Sequence, residues 1–101
     1  MISLNRAIIA GNLTDNPTLE SLQNGRTSCK FNLGIKDIWK DSNGKLQVKI
    51  SHISIVTFGD LAKNCNEYLK KDFAVMVEGR IEVENGTTQI VANNVAFLEN
   101  K

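Results

Sequence analysis

Apolar and polar residues alternate through most of the chain. The clearest stretch places Cys29, Phe31, Leu33 and Ile35 on one face and Ser28, Lys30, Asn32 and Lys36 on the other, the period-two pattern of a half-buried strand. Leu4 to Leu13 reads as an earlier strand, with Gly11 placed for a bulge or for the close approach of another backbone. Thr14-Asp15-Asn16-Pro17 breaks the pattern, and Asn24-Gly25 supplies residues that tolerate positive φ, as a tight turn between right-twisted strands requires. Asn43-Gly44 does the same in the next connection. The third strand opens with Leu46, Val48 and Ile50, after which the apolar phase shifts by one to Ile53 and Ile55. A bulge near Ser51-His52 reconciles the two halves as one long bent strand.

Asp60 is placed to cap a helix whose apolar positions Leu61, Cys65, Tyr68 and Leu69 form one stripe, with Lys70 and Lys71 at its carboxyl end. Two more strands follow, Phe73 to Val83 and Thr87 to Leu98, joined by Asn85-Gly86 as a very short hairpin turn. The order is three strands, one helix, two strands. A single helix between strands three and four of a five-stranded antiparallel set is the connectivity of the all-β, Greek-key oligonucleotide-binding barrel, in which the helix plugs the barrel floor. An open α+β sheet shares the same string, and pattern alone leaves both standing.

The length, 101 residues with 42% hydrophobic and 23% charged content, fits a single domain over residues 1–101. Phe97-Leu98-Glu99-Asn100-Lys101 is expected to end the fold, with no C-terminal tail. Burial scales unfavourably at this size, so association between copies is a reasonable expectation. No segment has the length and apolarity of a membrane span or the pattern of a signal peptide, which sets a cytoplasmic expectation and no membrane partner. Cys29 and Cys65 lack the spacing of a metal knuckle or a disulfide framework and read as reduced and buried. The net charge of +1 is unevenly spread. From Arg26 to Lys49 six bases (Arg26, Lys30, Lys36, Lys40, Lys45, Lys49) face two acids (Asp37, Asp41), whereas Glu78, Glu82, Glu84 and Glu99 outnumber Arg80 in the last quarter. A polyanion would land on the middle of the chain.

Asn5-Arg6-Ala7-Ile8-Ile9-Ala10-Gly11-Asn12-Leu13-Thr14 with Pro17 and Asn24-Gly25 resembles the opening strand and first hairpin of the bacterial single-stranded DNA-binding family. The likeness continues through Trp39, Ile55-Val56-Thr57-Phe58-Gly59, Asn66-Glu67-Tyr68-Leu69-Lys70-Lys71 and Val77-Glu78-Gly79-Arg80-Ile81, nearly the whole chain. The resemblance implies a homotetramer of such barrels, with single-stranded DNA passing over basic and aromatic surface during replication, recombination and repair at the nucleoid. There are departures. His52 stands where most members carry an aromatic, and the Asn85-Gly86 hairpin is too short for another. Glu82 and Glu84 replace residues that tend to be basic, and Asp60 falls where lysine is frequent. The family's flexible acidic-tipped tail has no counterpart in these 101 residues, so recruitment of replication proteins through it is not expected unless such a tail follows them in a longer protein.

Single-strand binders combine a cationic groove, which fixes the phosphates, with aromatic faces on which bases stack. Trp39, set in sequence among Lys36, Lys40 and Lys45, is either such a platform or a tryptophan closing the barrel mouth; Phe58 is either a platform or a cap on the core. Lys30, Lys36 and Lys49 lie on strands two and three, the usual ligand face of this barrel, where the alternative is an ordinary solvated face. With Lys40 and Lys45 they complete the candidate DNA-binding set. Arg6, His52 and Lys71 are candidates for DNA or interface contact, Arg6 either touching DNA or pairing with an acid between subunits. His52 is the sole histidine and has no ligand partners at metal spacing; Phe31, Tyr68 and Phe97 look like core or interface. No nucleophile has an activating partner, and Gly44-Lys45 lacks a phosphate-loop context, so neither an enzyme, a metal site nor a cofactor is expected. The resulting reading is a sequence-tolerant single-strand binder, most simply a tetramer, with a dimer as the other option. The rivals are a dimeric primosome-accessory type of barrel working mainly through protein contacts, and a pure oligomerisation module.

Overall fold

A computed structural model of the chain describes residues 1–98; Glu99, Asn100 and Lys101, and with them the fourth acid of the last quarter and the expected end of the fold, lie outside the described residues. The elements are β1 (Ala7–Leu13), β2 (Thr18–Ser21), β3 (Thr27–Lys40), β4 (Leu46–Phe58), α1 (Gly59–Tyr68), β5 (Ala74–Glu84) and β6 (Thr87–Phe97). They form one sheet in the order β1-β5-β6-β4-β3-β2, and β1 also pairs with β3, which closes the five long strands into a barrel. All pairings are antiparallel except β4 with β6. The helix lies between the third and fourth barrel strands, as expected, and the open sheet is excluded. Among the described residues no helix is long and apolar enough to cross a membrane.

Residues turned inward along each strand make the core: Leu13 from β1, Cys29, Phe31 and Leu33 from β3, Ile55 from β4, Val75 and Val77 from β5, Ile90 and Ala92 from β6. Ala62 and Cys65 of α1, with Leu69 just beyond it, close one end. Tyr68 falls outside this set and packs at the surface against Phe97, ring centroids 6.2 Å apart, whereas Phe31 is core. Asp60 is not the helix cap: Phe58 takes that position without a side-chain bond, and Asp60 sits in the first turn, where a carboxylate favours the helix dipole.

Three local features depart from the sequence pattern. The short strand β2 pairs with the first residues of β3, yet all four of its residues are exposed, so it carries no alternation to read. β1 begins at Ala7 rather than Leu4 because Asn5 reaches the ladder with its side chain: its amide donates to the Ile81 carbonyl (2.7 Å) and accepts from the Ile81 N–H (2.8 Å). The bulge expected at Ser51-His52 is absent. β3 and β4 pair without interruption from Ser28 opposite Phe58 to Lys40 opposite Leu46. The apolar phase changes because the hairpin runs beyond the barrel as an arm, where neither face is held in the core. Leu46, Val48 and Ile50 are 62%, 56% and 56% exposed, while Ile53 and Ile55 face inward. The register shift lies instead between Glu78 and Gly79 of β5, where Asn93 is the extra residue on β6.

Two turn residues show what the hairpin geometry demands. Asn85 (φ 53°) and Gly86 (φ 78°) both adopt positive φ, the two-residue turn that matches strand twist. Gly11 serves close approach: a Cβ there would collide with the Gly34 carbonyl oxygen. Gly11→Ala is therefore expected to lower the unfolding free energy by about 1–3 kcal/mol, read from the urea midpoint.

Burial pushes both thiols up, Cys65 to about 11, with Cys29 adding to the rise at Cys65 and a hydrogen bond with Thr57 opposing it. The unfolded chain releases the Cys65 proton near its ordinary value of 9.0, the folded chain only near about 11. Folded-state preference from this group is thus intact below 9.0 and declines as pH rises through about 11. Denaturant melts across this window should show that decline, and it should be smaller in Cys65→Ala.

Candidate nucleic-acid interface

Because β3 and β4 stay in register, residue parity decides which way each side chain points. Odd-numbered residues of both strands face the barrel interior and its continuation along the arm. Even-numbered residues face outward: Lys30, Asn32, Gly34, Lys36, Ile38 and Lys40 on β3, opposite Val56, Ser54, His52, Ile50, Val48 and Leu46 on β4. This outward face carries three lysines and no carboxylate. Near its centre the Ser54 hydroxyl donates to Asn32 Oδ1 (3.0 Å). Lys30, Asn32 and Ser54 line a cleft of about 510 Å³ that continues to Gln89 and Thr87 of β6 and is also lined by Asp15.

At the far end Phe58, half-buried, stands opposite Ser28, whose hydroxyl is buried without a partner. The Arg26 guanidinium carbon lies over the Phe58 ring, 4.1 Å from its centroid. A second cleft of about 420 Å³ opens here, lined by Arg26, Phe58, Arg80, Glu82 and Asn93 among others. Glu82 holds Arg80 at 3.7 Å and accepts a long bond from Gln89 (3.4 Å). Arg80, Glu82 and Glu84 are opposite Val91, Gln89 and Thr87, so the acidic hairpin borders the same outward surface.

The structure divides the residues singled out from sequence. Lys30, Lys36 and Lys40 share the outward face, and Phe58 ends it. Trp39 does not sit among Lys36 and Lys40: it points to the opposite face of the arm, 47% exposed, across from Gln47 and diagonal to Lys49. Lys49 is itself opposite Asp37 on that second face. The adjacency of Trp39 to the lysines in sequence is what strand alternation turns into separation in space. Lys45 lies in the tip turn, where its N–H donates to Asp41 (2.9 Å). His52 is on the outward face opposite Gly34. Arg6 pairs within its own chain, Nε donating to Glu78 Oε2 at 2.7 Å. Lys71 is in the α1–β5 connection, its N–H bonded to Asn16 Oδ1, and is not part of the β3–β4 face. Sequence reasoning counts Arg26 and Arg80 as charges but misses them as site residues. Arg26 is two residues before Ser28 and so shares its parity, but that signal becomes usable only once Ser28 is known to face Phe58.

Among the described residues no group of three or more His, Cys, Asp or Glu side chains could hold a metal ion. A closed barrel in this strand order, plugged by one helix and presenting a lysine-bearing β3–β4 face, defines an oligonucleotide-binding barrel. The family model described as the single-strand binding protein family matches residues 4–98, and the chain belongs to that family. It is 31% identical over 106 residues to a single-stranded DNA-binding protein of Neisseria meningitidis, covering 96% of this chain and 61% of that protein, so it spans about three fifths of the relative's length. It is 32% identical over 107 residues to single-stranded DNA-binding protein 1 of Staphylococcus aureus, covering 97% and 67%. Among solved structures, the Plasmodium falciparum SSB complex with ssDNA superposes with a TM-score of 0.87 at 24% identity over 98% of both chains. A deletion mutant of the Thermus aquaticus single-stranded DNA binding protein superposes at 0.84 with 25% identity, over 95% of this chain and 51% of that one.

The arm's tip has its own signature. Bonds from the Lys45 N–H, the Gln47 amide and the Asn43 N–H hold the Asp41 carboxyl below its ordinary value of 3.8. The stabilisation this gives the turn is present above 3.8 and lost as pH falls through the lower folded value. In an NMR pH titration the Lys45 amide should shift with a midpoint below 3.8.

Proposed function

We propose that this chain binds single-stranded DNA without reading its sequence, covering exposed strands in replication, recombination and repair and doing no chemistry on them. The observation that carries this is the outward β3–β4 face. Phosphates are drawn to Lys30, Lys36 and Lys40, which share a face to which β3 and β4 contribute no carboxylate, and Phe58 with its arginine marks one end of the path. Family membership and the names of the relatives support the same ligand. Phosphate pairing and ring stacking carry no base identity, which accords with sequence tolerance. The place of work on this reading is the nucleoid, in the cytoplasm.

Assembly into an oligomer belongs to the same proposal. β1 gives one edge to β5 along Ala7 to Asn12 but pairs with β3 only at Asn12 and Leu13, so its other edge is open. An open edge invites pairing with a second copy. Exposed Ile8 and Met76 supply a separate apolar surface on the β1–β5 outward side. Two distinct surfaces favour four chains over two. Sedimentation should give a tetramer mass, and a monomer unchanged by concentration would contradict the assembly.

For DNA binding, Lys30→Ala with Lys36→Ala should weaken affinity for a homopolymer strand and flatten the salt slope by about 0.7 for each phosphate no longer neutralised. Glu82→Gln should strengthen binding at low salt, because it removes the carboxylate that holds Arg80. A strand that continues over the arm reaches Trp39 and Lys49 on its second face. The indole fluorescence should then fall on addition of DNA, and Trp39→Ala should cost about 1–3 kcal/mol, the range for a stacked base in single-strand binders generally.

A further inference from the structure

One face of the Phe58 ring is already taken. The Arg26 guanidinium carbon stands 4.1 Å above the ring, well within cation–π range. This placement is built in from the backbone. The Arg26 N–H donates to Asn24 Oδ1 (2.9 Å), the Arg26 carbonyl accepts from the Leu22 N–H (2.7 Å), and Gly25 closes the turn with φ 79°. Arg26 shares parity with Ser28, which is opposite Phe58, so the arginine sits diagonally across the strand pair, within reach of an aromatic neighbour. Neither salt bridge among the described residues involves it, whereas Arg80 across the cleft is held by Glu82. In front of the pair lies the cleft of about 420 Å³, with Arg80, Glu82 and Asn93 on its walls.

A base entering that cleft meets the guanidinium and the ring it covers together. Guanidinium is planar, delocalised and weakly hydrated, and it stacks on flat π-surfaces as an ammonium cannot. We infer that Arg26 is the surface on which one base of the bound strand stacks, with Phe58 as the support that holds the guanidinium in place. The inference rests on the single-strand reading above and adds to it a division of labour: the phenyl ring positions, and the arginine touches the base. Such a contact delivers a π-face and a cation at one point. The stacking part persists when salt screens the lysines, and the N–H edge remains free for the adjoining phosphate.

The test compares the full chain with Arg26→Lys and Arg26→Ala by fluorescence anisotropy, using labelled oligothymidylate and an abasic strand of equal length, each at low and high salt. The side chain is exposed and outside the core, and thermal melts should show all three proteins folded alike. Lysine keeps the charge and removes the flat face. On oligothymidylate Arg26→Lys should bind about 5- to 150-fold more weakly than the parent, with an unchanged salt slope, so that the deficit persists at high salt. On the abasic strand parent and Arg26→Lys should bind alike. Equal binding of parent and Arg26→Lys to oligothymidylate at both salts would show that only the charge matters and overturn the inference. Tighter binding by Arg26→Ala would overturn it in another way, showing that the arginine obstructs Phe58. If the parent binds oligothymidylate no better than background, it is the single-strand reading itself that fails, and this assignment falls with it.

Discussion

The thirteen consecutive pairs between β3 and β4, from Ser28 opposite Phe58 to Lys40 opposite Leu46, decide which side chains share the outward face. A slip of β3 by one residue would send Cys29, Phe31 and Leu33 to solvent and turn Lys30 into the barrel. Burying unpaired ammonium groups is costly enough that the core itself enforces the register. The same pairing that closes the barrel therefore sorts charge. It gathers three lysines on the outward face and leaves Asp37 with Lys49 on the other side of the arm.

Beyond Leu33 and Ile53 the core no longer supplies that enforcement, and the hairpin continues as a two-stranded arm with apolar side chains exposed on both faces. What holds the arm's end is local. Asp41 accepts from the Asn43 and Lys45 N–H groups and the Gln47 amide, so the carboxylate organises the turn instead of opposing the neighbouring lysines in free solution. Glu82 plays a comparable part at the other border by holding Arg80. Two of the acids that border this surface, Asp41 and Glu82, are thus engaged at its edges, while the Arg26 guanidinium lies against an aromatic ring.

Much of this is legible in the sequence. Alternation marks the barrel strands, paired Asn-Gly residues mark the hairpin turns, and the placement of the single helix points to the barrel. The failures share a cause: periodicity reports burial, so it is silent or misleading where nothing is buried. β2 is wholly exposed and leaves no pattern. The apolar phase change at Ser51-His52 means a bulge only in a strand that stays buried throughout, whereas this strand leaves the barrel. For Trp39, nearness in sequence to lysines suggests a shared surface that strand alternation forbids. Arg26 is invisible as a site residue because its partner, Phe58, is 32 positions away and only the register brings them together.

The central claim is that the outward sheet face receives the strand. The most direct measurement is an amide chemical-shift map of the protein as oligothymidylate is added. The largest changes should fall on residues 26–36 of the first hairpin and β3, on residues 52–58 of β4 and on Gln89 to Asn93 of β6, with little change along α1 or around Tyr68 and Phe97. Changes concentrated on α1 and the Tyr68–Phe97 surface, with the β3–β4 face unmoved, would contradict it.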